Sequence, residues 1–150
     1  MASIRSVQIQ ESIHIRRPCE TVWDYTQDFA RRTQWDAAIV HVEDIQESPH
    51  RRVRVVGRGF RCTFEYKAAE RPLHTSVIMK DVTSPLVTGG GGSWRYEPQD
   101  EGCLWTQTMR IELGRSWVVA LCRPWLGWML RRQVRTSMQK ARTILETQPV

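Results

Sequence analysis

A carboxylate among apolar side chains is the first group in the sequence that could do chemistry. In the alternating segment 7–15 the apolar residues fall on one phase, and Glu11 falls on that same phase. A carboxylate placed there needs a partner, or its pKa rises. Such a group suits general acid/base catalysis, with Tyr66 or Tyr96 as hydrogen-bond partners. The alternative is that Glu11 lies at a bulge or strand edge in water, or pairs with an arginine.

Two more polar residues, Gln107 and Asp81, share the apolar phase of later strands, where they could orient a ligand. The four histidines are scattered, no Cys-x-x-Cys pair occurs, and no two-histidine, one-carboxylate spacing suggests an iron site. We therefore predict no metal and no cofactor. The run Gly89–Gly92 precedes no predicted helix, which favours a flexible strand start or a loop at the rim of a cavity over a phosphate-binding loop.

Length and composition predict one folded domain, residues 1–150. The chain is 41% hydrophobic and 25% charged and contains seven tryptophans, which excludes a disordered chain. Its longest nearly apolar run, residues 117–130, contains Arg123 and Pro124 and is shorter than the about 20 residues that a membrane span needs. The N-terminal residues have no signal-peptide core and the four cysteines form no motif. We therefore expect reduced thiols in a cytoplasmic protein. The expected oligomeric state is a monomer or a homodimer.

The net positive charge is confined to the end of the chain. Residues 115–150 carry seven basic side chains and one acidic side chain, a balance of +6 that equals the net charge. The simpler, structural interpretation is a solvated helix face whose cations suit the negative end of the helix dipole. The alternative is a surface that docks on an anionic membrane or on an acidic partner. Its candidate residues are Arg131, Arg132 and Arg135, with Trp117, Trp125 and Trp128 as interfacial anchors. No nucleic acid is expected as a partner, because no motif for one occurs.

Hydrophobic periodicity predicts the elements that position these groups. Alternation predicts strands over residues 7–15, 37–45, 51–59, 60–68, 74–82, 93–97 and 103–113. Pro18 favours a helix start after the first strand, in a helical region that is interrupted near residues 31–34. A long amphipathic helix is predicted from Pro124 to Glu146. Its apolar stripe consists of Leu126, Leu130, Val134, Met138, Ala141 and Leu145. The order predicts an α+β fold in which a curved antiparallel sheet of about seven strands wraps a long C-terminal helix, with two short helices after the first strand.

Two stretches of the sequence carry a resemblance to a known superfamily. The first is ESIHIRRPCETVWDYTQDFARRTQWDAAIVHVEDI, residues 11–45, and the second is WRYEPQDEGCLWTQTMRIEL, residues 94–113. The first resembles the opening of the START-like (SRPBCC, helix-grip) superfamily, especially its polyketide cyclase/dehydrase branch. The second is similar to that family's last hairpin. Together with the terminal helix, the resemblance covers nearly the whole chain.

The resemblance implies a deep apolar cavity between the sheet and the terminal helix. Superfamily members bind lipids, sterols, polyketides, hormones or quinones, and some catalyse cyclisation or dehydration. If the apolar phase of each strand faces the cavity, we expect a ligand to contact Phe64, Val77, Met79, Asp81, Trp94, Trp105, Gln107, Met109, Ile111 and Leu130. For cyclisation or dehydration, the candidate catalytic residues are Glu11, Tyr66 and Tyr96. The alternatives are a non-catalytic lipid or quinone carrier, and an interaction domain with a filled core.

Overall fold

The computed structural model describes residues 5–148, which form one sheet, two α-helices and one turn of 3-10 helix. In chain order these are β1 (Ser6–Ile15), α1 (Cys19–Thr26), the 3-10 turn (Arg32–Gln34), β2 (Ile39–Gln46), β3 (Arg52–Gly57), β4 (Phe60–Glu70), β5 (His74–Thr83), β6 (Val87–Gln99), β7 (Gly102–Leu113) and α2 (Trp117–Thr147). The predicted α+β fold is confirmed, with seven strands and a long C-terminal helix.

The strands form one antiparallel sheet in the order β1-β7-β6-β5-β4-β3-β2. Neighbours from β2 to β7 follow one another along the chain, as in a meander, and β1 joins the far side of β7. In that pairing Glu11 lies opposite Gln107. On the other side of β7, Gln107 lies opposite Trp94 of β6. The topology therefore brings two of the three predicted polar positions, Glu11 and Gln107, side by side.

Helix α2 begins at Trp117, which corrects the predicted start at Pro124. The helix starts earlier because the Ser116 side chain caps it, accepting a hydrogen bond from the backbone N–H of Val118 at 3.2 Å. Pro124 lies inside the helix, where it cannot donate to the carbonyl of Ala120. The predicted apolar stripe is confirmed as the buried side of the helix. Within residues 5–148, no helix is long and apolar enough to cross a membrane.

The glycine run lies within β6, which corrects the prediction of a flexible strand start or a rim loop. Gly90 has a φ of 144°, and a Cβ there would lie 2.2 Å from the carbonyl oxygen of Arg110 in β7. A Cβ on Gly91 would lie 2.6 Å from the carbonyl oxygen of Val77 in β5. Glycine is needed because neighbouring backbones approach too closely for a side chain.

Two of the four cysteines form a disulfide, which corrects the prediction of four reduced thiols. Cys19 at the start of α1 is bonded to Cys103 in β7, and their Cα atoms lie 5.1 Å apart. The two cysteines are 84 residues apart in sequence, so no local sequence motif indicates the bond between them. Cys62 and Cys122 are free. Burial raises the pKa of the Cys62 thiol to about 12, which leaves it protonated and unreactive at neutral pH.

Candidate functional site

A cavity of about 380 Å³ lies between the sheet and α2. Strands β4, β5, β6 and β7 supply one wall, and the buried side of α2 supplies another. The lining is mostly apolar, and Gly91 and Gly92 add stretches of wall that carry no side chain. Small-molecule sites range over about 300–1,000 Å³ and are mostly apolar. Size and lining are therefore those of a site for one small hydrophobic molecule.

Most of the predicted ligand-contacting residues line this cavity. The eight that do are Phe64, Val77, Met79, Trp94, Gln107, Met109, Ile111 and Leu130. They come from four strands and one helix, so only the predicted alternation and the helical stripe could have grouped them. Their placement supports the predicted inward phase of β4 to β7.

Trp105 and Asp81 lie outside the cavity lining, which corrects their predicted placement. Trp105 is fully buried, because its ring stacks on Tyr96 at 6.4 Å between centroids and meets Trp35 edge-on at 5.3 Å. Asp81 is exposed in β5 with a φ of 51°, close to a break in the register between β4 and β5. The regular alternation that placed it inward stops before this residue.

Glu11 also lies outside the cavity lining, between β1 and α2. Its carboxylate oxygens lie 3.3 Å from Nε of Arg131 and 2.9 Å from Nε of Arg135. This geometry matches the alternative interpretation in which Glu11 pairs with an arginine. The two guanidinium groups balance the negative charge of the half-buried carboxylate. Through these ion pairs Glu11 joins the edge strand β1 to α2. A catalytic role for Glu11 stays a prediction.

The two candidate catalytic tyrosines lie under α1, away from the cavity lining. The hydroxyl of Tyr66 donates to Oε1 of Gln27 at 3.0 Å, and Nε2 of Gln27 donates to the hydroxyl of Tyr96 at 2.7 Å. Tyr96 also shares a 2.7 Å hydrogen bond with the hydroxyl of Thr26. This buried network ties the end of α1 to β4 and β6. A catalytic role for Tyr66 and Tyr96 likewise stays a prediction.

The tyrosines provide a pH test of this packing. Burial raises the pKa of Tyr66, Tyr96 and, despite the opposing charge of Arg31, also Tyr25. These are all three tyrosines of the chain. A raised pKa in the folded state means that the contribution to stability is complete below the ordinary value near 10 and is lost as the pH rises through the raised values.

We therefore expect the native protein at pH 10 to show much less tyrosinate absorbance than the urea-unfolded protein at the same pH. Spectrophotometric titration of both states measures the difference. Superimposable titration curves for the folded and unfolded chains would contradict the buried network.

Arg32 is a buried cation in the cavity wall that sequence reasoning missed. Its side chain is only 2% exposed, and its guanidinium lies 4.6 Å from the ring centroid of Trp35, 4.9 Å from that of Phe29 and 5.2 Å from that of Trp94. Nε donates to Asp36 at 2.8 Å. An arginine four residues before an aspartate, in a helical turn flanked by aromatic residues, was the available signal.

An exposed apolar patch lies on the first turns of α2. Its members are Trp117, Leu121, Trp125 and Trp128, which recur at helical spacing and are 57–73% exposed. We call these four residues the tryptophan patch. It adjoins the cavity through Met129, which is itself exposed and also lines the cavity wall. The guanidinium of Arg132 lies over the ring of Trp128, 5.5 Å from its centroid.

The fold is shared with solved structures of aromatase/cyclases and a START protein. The Zhui aromatase/cyclase from a Streptomyces species is 16% identical, with a TM-score of 0.79 over 94% of each chain. A START superfamily protein from Mycobacterium smegmatis is 12% identical, with a TM-score of 0.71 over 92% of this chain and 98% of that one. The di-domain aromatase/cyclase BexL, from the BE-7585A biosynthetic pathway, is 16% identical with a TM-score of 0.79. The match to BexL covers 99% of this chain but only 52% of BexL, about half its length. At these identities the likeness shows the fold.

Family membership follows from the sequence. None of the curated proteins matches the chain as a relative. Residues 6–146, nearly the whole sequence, match the family described as "Polyketide cyclase / dehydrase and lipid transport". The match agrees with the resemblance seen in the two quoted stretches and with the cavity between sheet and helix. The chain belongs to the polyketide cyclase/dehydrase and lipid transport family.

Proposed function

We propose that the protein binds one hydrophobic or aromatic small molecule, of polyketide, lipid or quinone type, in the cavity between the sheet and α2. The observation that carries the proposal is the apolar wall of the cavity, with Phe64, Met79 and Met109 on the sheet and Leu130 on the helix. Burial of apolar ligand surface in such a site drives binding. The two methionines make the wall adaptable to ligand shape.

The proposal is binding rather than catalysis. The acid/base candidates are held elsewhere: Glu11 by two arginines, and Tyr66 and Tyr96 by the residues at the end of α1. A general acid or base must come within hydrogen-bond reach of the proton that it transfers. Cyclisation or dehydration through these three residues would first require them to leave their present partners.

Filling the cavity is the direct test of binding. In Met79→Trp a larger ring occupies the cavity, so we expect the affinity for the apolar dye N-phenyl-1-naphthylamine to fall by about tenfold or more. The control is Val40→Trp, which adds the same ring to an exposed position in β2 and should bind as the wild type does. Dye fluorescence titration measures all three proteins. Equal affinity in all of them would place the dye outside the cavity and contradict the proposal.

The second candidate function is a carrier that exchanges its ligand at an anionic membrane. The tryptophan patch favours it, because tryptophan side chains partition to the membrane interface and this patch adjoins the cavity. Arg115 and Arg132 lie beside it and form no ion pair with any residue in the described range 5–148. Arg131 and Arg135 are already paired with Glu11.

Vesicle binding distinguishes the carrier from a protein that stays in solution. We expect binding to phosphatidylcholine vesicles that contain phosphatidylserine, weakened by salt and by the double change Arg115→Glu and Arg132→Glu. Trp117→Ser together with Trp125→Ser should weaken it further. Arg54→Glu, an exposed arginine in β3, is the matched control. Co-sedimentation measures the bound fraction. Binding that is unchanged by salt and by the two arginine-to-glutamate changes would contradict the carrier function.

A further inference from the structure

One end of the cavity is polar, and two of its side chains have unused hydrogen-bond donors. Gln107 in β7 is 6% exposed and lines the cavity, yet its amide makes no hydrogen bond within residues 5–148. The amide atoms of Gln107 are not fully enclosed by protein, so a molecule in the cavity can reach them. A buried amide without a partner is costly, which points to a ligand atom that completes it.

Arg32 faces the same end. Its Nε and Nη1 donate to Asp36 and to the carbonyl of Thr26, at 2.8 and 3.1 Å, whereas Nη2 donates to no residue in the described chain. Trp94 links the two donors, because it lies opposite Gln107 in the sheet and its ring lies under the Arg32 guanidinium. Both donors therefore lie beside the Trp94 side chain.

The charge at this end selects the kind of acceptor. The positive charge of Arg32 is already matched by Asp36, whose carboxylate lies 2.8 Å away and also lines the cavity. A ligand carboxylate would meet the Asp36 carboxylate nearby, and it would lose its hydration in a largely apolar cavity. A neutral ligand oxygen can accept hydrogen bonds from the free donors of Gln107 and Arg32 without repulsion from the Asp36 carboxylate.

We propose that the ligand carries a neutral carbonyl oxygen, as in a ketone or a quinone, which accepts hydrogen bonds from Gln107 and Arg32 while its ring system lies against the apolar wall of the cavity. This inference rests on the proposed binding function and names the ligand's polar group. Gln107 then acts as the residue that selects oxygenated ligands over hydrocarbons of the same shape.

Three probes that share one tricyclic skeleton test the inference by calorimetric or fluorescence titration: fluorene, fluorenone and fluorene carboxylate. We expect fluorenone to bind the wild type about tenfold more tightly than fluorene, and the carboxylate to bind more weakly than fluorenone. In Gln107→Met the preference for fluorenone should fall roughly threefold or more. This variant should fold, because the Gln107 side chain has no hydrogen bond to lose. Gln139→Met, an exposed position on α2, is the matched control and should keep the preference.

The outcomes separate this inference from the function on which it rests. Equal binding of fluorene and fluorenone, or an unchanged preference in Gln107→Met, would overturn the carbonyl site and leave the apolar binding site standing. Tightest binding of the carboxylate would overturn the choice of a neutral oxygen. Failure of all three probes to bind would overturn both the carbonyl site and the proposed function.

Discussion

Replacing Arg32 with leucine is expected to lower the free energy of unfolding by about 3–5 kcal/mol, because it leaves the Asp36 carboxylate without its cation. The change also removes the hydrogen bond to the carbonyl of Thr26 and three cation–π contacts. Since the turn that carries Arg32 forms part of the cavity wall, ligand affinity should fall as well. Urea denaturation followed by tryptophan fluorescence measures the stability.

The neighbouring arginine provides the control. Arg31 is half exposed and lies 3.5 Å from Asp28, so Arg31→Leu should cost no more than about 1 kcal/mol. The double variant Arg32→Leu, Asp36→Leu removes both charges and should recover much of the stability that the single change loses. Equal effects of Arg31→Leu and Arg32→Leu would show that the Arg32 pair is not the buried, stabilising contact described above.

Reduction of the Cys19–Cys103 disulfide is expected to lower the free energy of unfolding by roughly 4–5 kcal/mol, from the loop entropy of a long cross-link. The bond fixes the start of α1 to β7, so it helps to hold the α1 segment that ends in the Tyr66–Gln27–Tyr96 network. Urea denaturation with and without dithiothreitol measures the effect.

Thiol titration and two paired variants check that this disulfide is responsible. The folded, oxidised protein should present one reactive thiol, Cys122, and unfolding should expose a second, Cys62. Cys19→Ala with Cys103→Ala should abolish the effect of dithiothreitol, whereas Cys62→Ala with Cys122→Ser should keep it. Four reactive thiols in the unfolded, unreduced protein would contradict the disulfide.

The fold could be predicted because its signals are local and repeated. Alternation along β1 and β7 and the stripe from Leu126 to Leu145 fix which side of each element is buried. That periodicity was enough to place eight cavity residues. It failed at Asp81, where the register between β4 and β5 breaks, and at the Gly89–Gly92 run, which lies inside a strand because neighbouring backbones come close.

The rest of the site depends on contacts between residues far apart in sequence, which periodicity does not encode. Glu11 falls on the apolar phase of its strand, but only the docking of α2 shows that Arg131 and Arg135 meet it. Arg32 and the Cys19–Cys103 pair are similar cases. A charged residue in a polar stretch is expected to have an exposed side chain. Arg32 is buried instead because aromatic rings pack around its guanidinium in the folded chain.

The most direct test of the central claim, a ligand-binding cavity between sheet and α2, is native mass spectrometry of the freshly purified protein and of Met79→Trp. Spectra are recorded before and after addition of N-phenyl-1-naphthylamine, and solvent extraction identifies any compound released. We expect one hydrophobic molecule per chain in the wild type, either co-purified or added, and a clearly smaller bound fraction in Met79→Trp. A wild type that binds neither compound, or a variant with the same bound fraction as the wild type, would contradict the cavity as the binding site.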